Sequence, residues 1–442
     1  MIRTGFAKEI VTPPLGVPLC GYFVPRPNDG AYDDLCVRAL VFADGGGRKC
    51  AILSADLCFI SANLADRCRK VMADMGITFT DDILFSATHS HTAPYPDRFF
   101  GDDPDEAYLD LFAHKSALAV KRAEANLAGC ELHTAKGFCD TLAFNRRYWM
   151  KNGTVVTNPG KLNPDVVRPE GPVDYDIPIL AFMREGKIAA LIVNIVNHTD
   201  TIDGNTVSAD WPGRMEKELQ HRLGYDLPVI MLLGASGNIN HFDPNRPGGQ
   251  SSYAEAVRIG KGYADAVEKA LAGLKKQENA DSFAFVSGSI DIPCVDISDA
   301  EAAEAQAILD KPFDGVTGNM TAVGLAKGEG AVARFFASQL LDFRKNGCGK
   351  TYSCRLVSIR FGTAAAIVSM PGEPFTEIGL AVKEASRFPV TLVSTLSMAE
   401  CGYIPLPECF GRGGYEVLPV EGGGVAHDTA PRLIEAASAL VR

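Results

Sequence analysis

The chain has 442 residues, 46% of them hydrophobic and 22% charged, the balance of a globular protein whose core is large enough to need no disulfides. A net charge of −11, with Lys and Arg scattered rather than gathered in a stripe, argues against nucleic acid as the main partner. No apolar run approaches the roughly 18 residues of a membrane span, and the opening MIRTGFAKEIVTPPLG has no signal-peptide core, so a cytoplasmic protein is expected.

Short apolar runs alternate with longer helical patterns. In chain order, the sequence predicts a strand at 51–57, a helix at 61–75, a strand at 83–87 and a helix at 106–127. A strand at 189–196 precedes a helix at 211–222, and a strand at 228–233 precedes helices at 253–272, 300–309 and 331–342. The last elements are a strand at 364–370, a helix at 374–387 and a strand at 390–396. This alternation predicts an α/β fold with a mixed β-sheet core flanked by helices. Residues 138–168, rich in Asn, Gly, Pro and Arg, are expected as a long ordered loop region. The segment 242–252 carries a strong turn signal, and 411–424 is a Gly-rich functional loop. No internal repeat or linker interrupts the chain, so one catalytic domain over residues 1–442 is expected. The twelve cysteines include no CxxC pair and are expected as free thiols.

The chemistry gathers where strands end, which is where ligands bind in open α/β sheets. After 83–87 comes SATHSHTAP. His89 and His91 are one residue apart, and an extended backbone would turn both to one face, one to bind a metal and the other to line the same pocket. After 189–196 comes His198, in NHTDT. After 364–370 comes PGEPF, where Glu373 before Pro374 suits the first turn of a helix. After 390–396 comes SMAECGYIPLPE, with Tyr403. Two imidazoles, a carboxylate and an exchangeable water make a catalytic zinc shell. HExxH is absent, so a metalloprotease helix is not indicated. Asp56 is a candidate for orienting a ligand histidine, and Asp210 for capping a helix.

Colinear blocks along nearly the whole chain resemble the neutral/alkaline ceramidase family. They are GFAKEIVTPPLGVPLCGY, SATHSHTAP, AFNRRY, GPVDYDIPIL, VNHTDT, SADWPGRME, MLLGASGNIN, SMPGEPF and GYIPLPECFGRGGYEV. The resemblance implies zinc held by His89, His198, Glu373 and Tyr403. It implies that His91 faces the substrate, that Tyr415 is a second functional tyrosine, and that Arg146 contacts the substrate, with Arg147 its neighbouring alternative. The sequence departs from the family at Asn238, where an acid shapes the loop, and it ends at Arg442 without the C-terminal β-sandwich of the larger secreted members.

The expectation is a zinc-dependent amidase that cleaves a small N-acyl compound by a metal-activated water. His91 and Tyr415 would serve the reacting carbonyl or the leaving amine, and Arg146 a polar part of the substrate. The alternatives are a deacylase or esterase acting on a soluble non-lipid substrate, and a metal-binding homologue without catalysis. Phe99 and Phe100 are candidates to line an acyl pocket. Oligomeric state leaves no mark on the sequence.

Overall fold

A computed structural model describes residues 2–22, 26–313 and 330–442. The fold is mixed α/β, and its three main sheets share one plan: antiparallel strands followed by one parallel pair. In the first sheet, β1 (Arg3–Ile10), β2 (Cys36–Ala43) and β3 (Lys49–Ala55) are antiparallel neighbours, and β3 pairs in parallel with β4 (Ile83–Ala87). In the second, β5 (Glu131–Phe138), β6 (Asp176–Arg184) and β7 (Lys187–Ile195) are antiparallel, and β7 is parallel to β8 (Val229–Leu233). In the third, β9 (Phe283–Pro293), β10 (Thr351–Phe361) and β11 (Ala365–Ser369) are antiparallel, and β11 is parallel to β12 (Val390–Ser394).

Strands covered on both faces read as unbroken apolar runs. Accordingly ILFSA of β4, VIMLL of β8 and AAIVS of β11 are buried at every position. Polar side chains stitch the three pairs together. The buried Asn194 amide donates to Leu232 O and Val393 O, both at 2.8 Å, and accepts from Val393 N. Ser86 and Ser394 hydroxyls meet at 2.9 Å, and Ser54 Oγ donates to Met231 O. Apart from the bond to Leu232 within the second sheet, each ties one sheet to another, so the carboxyl ends of the parallel strands share one side of the core.

Helices cover this core. Ser61 caps α1 (Ala62–Asp74) and Asp105 caps α2 (Glu106–Ala125) through bonds to Leu64 N and Tyr108 N. α3 (Asp210–Leu223) and α4 (Tyr253–Leu271) cross closely at Gly260, where a Cβ would stand 2.5 Å from Arg214 Cβ and 2.8 Å from Met215 N. Among the described residues, the remaining α-helices are α5 (Asp299–Asp310), α6 (Gly330–Asn346), α7 (Thr376–Ala385) and α8 (Thr429–Ala439). Among the described residues, no helix is long and apolar enough to cross a membrane.

Two expectations change. The region 138–168 is not a loop throughout: Arg147–Met150 pairs with Val155–Thr157 and with Val166–Pro169 in a small antiparallel sheet. The helix expected from residue 374 begins at Thr376, because Glu373–Pro374 forms a short parallel ladder with Tyr403–Ile404.

Candidate metal centre

The loops that leave β4, β7, β8, β11 and β12 build the site. His89 follows β4 with φ at 70°, a left-handed conformation costly for a β-substituted residue and held only where the surroundings impose it. This corrects the extended geometry expected for 89–91; the turned backbone still brings His91 Nε2 within 3.2 Å of His89 Nε2. Gly21 packs against the His91 ring, where a Cβ would lie 2.6 Å from Nδ1.

His198 follows β7. Its carbonyl accepts a bond from Trp211 Nε1 at 2.8 Å, and the next turn is held by Asp210, whose Oδ2 accepts from Thr201 N and Ile202 N. Asp210 is therefore no side-chain cap of α3: it lies inside the first turn with φ at 52° and braces the loop of His198. The Thr199 hydroxyl lies on the carbonyls of Thr88 and His89, joining both histidine loops.

Both ligand candidates have fixed tautomers. His89 Nδ1 donates to Cys58 O at 2.6 Å, and His198 Nδ1 donates to Ser236 O at 3.2 Å. Each Nε2 is then a bare lone pair, and the two face each other at 3.1 Å. Glu373 Oε2 lies 3.4 Å from His89 Nε2 and 3.3 Å from His198 Nε2, and it is a buried acceptor with no hydrogen-bond partner among the described residues. Arg146 Nη1 reaches His198 Nε2 from one side at 3.3 Å, but no proton lies between the three acceptors themselves, an arrangement that favours a cation among them. A tetrahedral zinc with Zn–N and Zn–O bonds of about 2.0–2.1 Å has ligand–ligand edges of roughly 3.3 Å, the spacing seen here. The donor set fits a zinc ion.

Cys58, His89 and His91 also cluster. That set suits a metal less well. His89 Nδ1 is already committed to a carbonyl, and the Cys20 thiol together with burial holds the Cys58 thiol well above its usual range, so it stays protonated.

Tyr403 is the register partner of Glu373 in the parallel ladder, which sets the two side chains on one face. Its ring lies 5.8 Å from that of Tyr415, and the Arg146 guanidinium stands 5.1 Å from the first ring and 5.0 Å from the second. Burial, then the charge of Glu373, raises the Tyr403 phenol well above its ordinary value. Burial also raises that of Tyr415.

Arg146 and Arg147 part company. Arg146 places Nη1 3.3 Å from His198 Nε2, and binds Gly237 O and Glu416. Arg147 turns to Glu170 and to the other oxygen of Glu416. Arg146 thus lies against the site histidine, and Arg147 turns away from it. The Arg146 backbone is set by the ladder of Phe144–Asn145 with Ile239–Asn240 and by its own bond to Asn238 O.

Asn238 accepts from Thr376 N at 2.8 Å and donates to Glu377 at 3.0 Å. An amide fits both neighbours at once. Gly237 lets this loop pass Glu373, since a Cβ there would lie 2.3 Å from Glu373 O. Asp56 does not orient a histidine. It binds Arg38, Cys36 N and Thr88, while a backbone carbonyl fixes His89. Glu416, which bridges both arginines, and Trp211 escaped the sequence reading, although each sits in a block that carries the resemblance.

A cavity of about 1530 Å³ reaches the site at Tyr403 and Tyr415. Its lining includes the apolar Phe336, Leu340 and Ile308 and the charged Lys151, Asp165 and Arg412. Phe99 and Phe100 are not in its wall; they pack tilted on each other, Phe99 also tilted on Phe59 and Phe100 edge-on to Phe335.

No protein-family model and no curated protein matches the sequence. Among solved structures, neutral ceramidase from Pseudomonas aeruginosa superimposes with a TM-score of 0.72 at 16% identity, over 99% of this chain and 74% of that one. A structure described as ceramidase complexed with C2 gives 0.71 at 16% identity, over 99% and 75%. The chain has the neutral ceramidase fold. The ceramidase likeness expected from the sequence blocks thus extends to the backbone of almost the whole chain.

Proposed function

We propose that the protein is a zinc-dependent hydrolase that cleaves the amide bond of an N-acyl compound. The observation that carries this reading is the convergence of His89 Nε2, His198 Nε2 and Glu373 Oε2 at 3.1–3.4 Å. His89, His198 and Glu373 hold the metal, with Tyr403 as a fourth ligand. When bound, zinc supplies Lewis acidity and lowers the pKa of a coordinated water towards about 7.

The side chains around it divide the remaining work. Burial pushes the His91 imidazole down to about 3, so it is neutral at pH 7. A neutral imidazole takes up a proton from the attacking water and passes it to the leaving amine. Tyr415 donates its phenolic proton towards the developing oxyanion. Arg146, fixed by Glu416 and Gly237 O, aligns the carbonyl beside Tyr403 and Tyr415. The substrate lies in the cavity, whose apolar and polar walls suit an amphiphilic amide. The ceramidase fold supports the same substrate class. Because the ligands come from all three sheets, residues 1–442 act as one catalytic unit.

A second reading, deacylation of a polar non-lipid amide or ester, draws on Lys151, Asp165 and Arg412 in the cavity wall. A panel of N-acyl amides, from short-chain soluble compounds to long-chain ceramide, separates the two. Chelator-sensitive release of fatty acid from the long-chain members supports the first. Turnover of short polar members alone supports the second, and no release from any member sinks both.

A further inference from the structure

The three site histidines are not held alike. His89 and His198 each donate Nδ1 to a backbone carbonyl. His91 has no such anchor: its Nδ1 is buried against Gly21 and makes no well-directed hydrogen bond among the described residues. Packing therefore sets this ring. Gly21 lies against it with no room for a Cβ, and the Tyr22 ring stands edge-on to it at 5.5 Å. Tyr22 is itself fixed through its hydroxyl, which donates to Ile202 O.

Arg26 ties this wall to His91. Its Nη2 donates to Cys20 O at 2.7 Å, one residue before Gly21, and also to His91 O. Its Nη1 donates to Gly204 O, and its guanidinium lies 4.0 Å from the centre of the Tyr22 ring. Arg26 is buried, its Nε is left without a partner, and no carboxylate pairs with it among the described residues. A guanidinium placed so is a poor source of stability. Three carbonyls and an aromatic face stand in for the missing carboxylate. What the arrangement does secure is the backbone of His91 and the wall that its ring leans on, both from one side chain.

We infer that Arg26 and Tyr22 are positioning residues: together they hold the His91 imidazole in the orientation from which it transfers a proton, in place of the hydrogen bond that His91 lacks. The inference rests on the reading of His91 as the acid–base group of an amidase. A reacting group displaced by about 1 Å loses about 10²-fold in rate. Neither Arg26 nor Tyr22 bonds to His89, His198 or Glu373 among the described residues, so the metal stays when they are changed.

The test uses full-length zinc-loaded protein: wild type, Arg26→Lys, Tyr22→Leu, His91→Ala, and each of the first two substitutions combined with His91→Ala. Zinc content is measured for all, with kcat and KM on an N-acyl-2-aminoethanol. Arg26→Lys and Tyr22→Leu should each keep the zinc, hold KM within about twofold and lower kcat about 10–100-fold. In the His91→Ala background the same substitutions should change kcat by less than about twofold, because residues that act through one group are not additive. Losses that multiply in that background overturn the proposal, as does zinc loss from either single variant or a wild-type kcat in either. Tyr22→Leu leaves the Arg26 bonds to backbone in place, so it decides the question should Arg26→Lys fail to fold. Long-range proton–nitrogen NMR spectra of the imidazoles need no turnover, and His91→Ala identifies the His91 signals. These should shift or broaden in both single variants while those of His89 and His198 stay in place. His91 signals left unchanged, or three histidines perturbed alike, overturn the proposal. If the wild type releases no amine, the amidase reading fails, and the spectra alone decide whether Arg26 and Tyr22 orient His91.

Discussion

His89 and His198 turn their Nε2 lone pairs towards each other at 3.1 Å, while each Nδ1 is tied to a backbone carbonyl, Cys58 O for one and Ser236 O for the other. Neither ring can donate to the other. The arrangement is unfavourable for a metal-free site and natural for a metal-binding one, and the carbonyls play the orienting part that metal-ligating histidines require.

His91 sits 3.2 Å from His89 yet lies outside the triangle made with Glu373. Replacing His91 with Ala should leave metal content unchanged and lower kcat by roughly 10²–10⁴, the usual loss for a general acid–base group. Metal analysis beside steady-state kinetics checks both halves. If the variant loses its metal as readily as a ligand variant does, the division of roles is wrong.

Arg146→Lys should keep the fold and the metal but lower kcat/KM by about 10²-fold, since an ammonium cannot reproduce the planar fork between Glu416 and Gly237 O. Arg147→Ala should act on stability instead, because its bonds run to Glu170 and Glu416. A urea titration of both variants distinguishes the two. Similar destabilisation by both would contradict the separation.

Glu416 is buried between Arg146 and Arg147 and also accepts from Thr157 Oγ1. Burial opposes its ionisation, but the charge of Arg147 and then that of Arg146 overcome it and hold the carboxyl below its ordinary value. Its folded pKa thus lies below the unfolded one. The group contributes stability at pH above the usual carboxylate range, and this is lost as pH falls through the depressed value. Glu416→Gln should destabilise the protein by about 3–5 kcal/mol at neutral pH, leaving buried guanidinium charge uncompensated. The difference from wild type should shrink under acid. Chemical denaturation over a pH series measures it, and a difference that grows towards low pH would be the wrong sign.

Asn238 donates to Glu377 while accepting from Thr376 N. An acid at this position would keep the second bond and set a carboxylate against Glu377, whose own carboxyl is already raised, first by burial. Asn238→Asp should therefore destabilise at neutral pH by about 1–3 kcal/mol, and less under acid. A variant as stable as wild type would show that the amide has no such role.

The parallel strands were legible because burial on both faces makes their sequences continuously apolar; Ile83–Ala87 occurs where it was expected. Antiparallel strands with a wet face were not. Phe283–Pro293 mixes Ser, Gly and Asp with its apolar residues and has no such run. At the site, residue types at strand ends pointed to His89, His198 and Glu373, but their geometry depended on distant partners. The position of Glu373 is set by a ladder with Tyr403, not by a helix terminus. The choice between Arg146 and Arg147 depends on Ile239–Asn240 pairing with Phe144–Asn145. Asp56 misled for a like reason. Its partner Arg38 lies on β2, a strand that the apolar-run pattern had not singled out, and that salt bridge occupies the carboxylate.

The metal content of the purified protein tests the central claim most directly, with His89→Ala and Glu373→Ala as controls. The account predicts about one zinc per chain in the wild type and its loss in both variants. Wild-type protein that binds no metal, even after zinc is supplied, would contradict it.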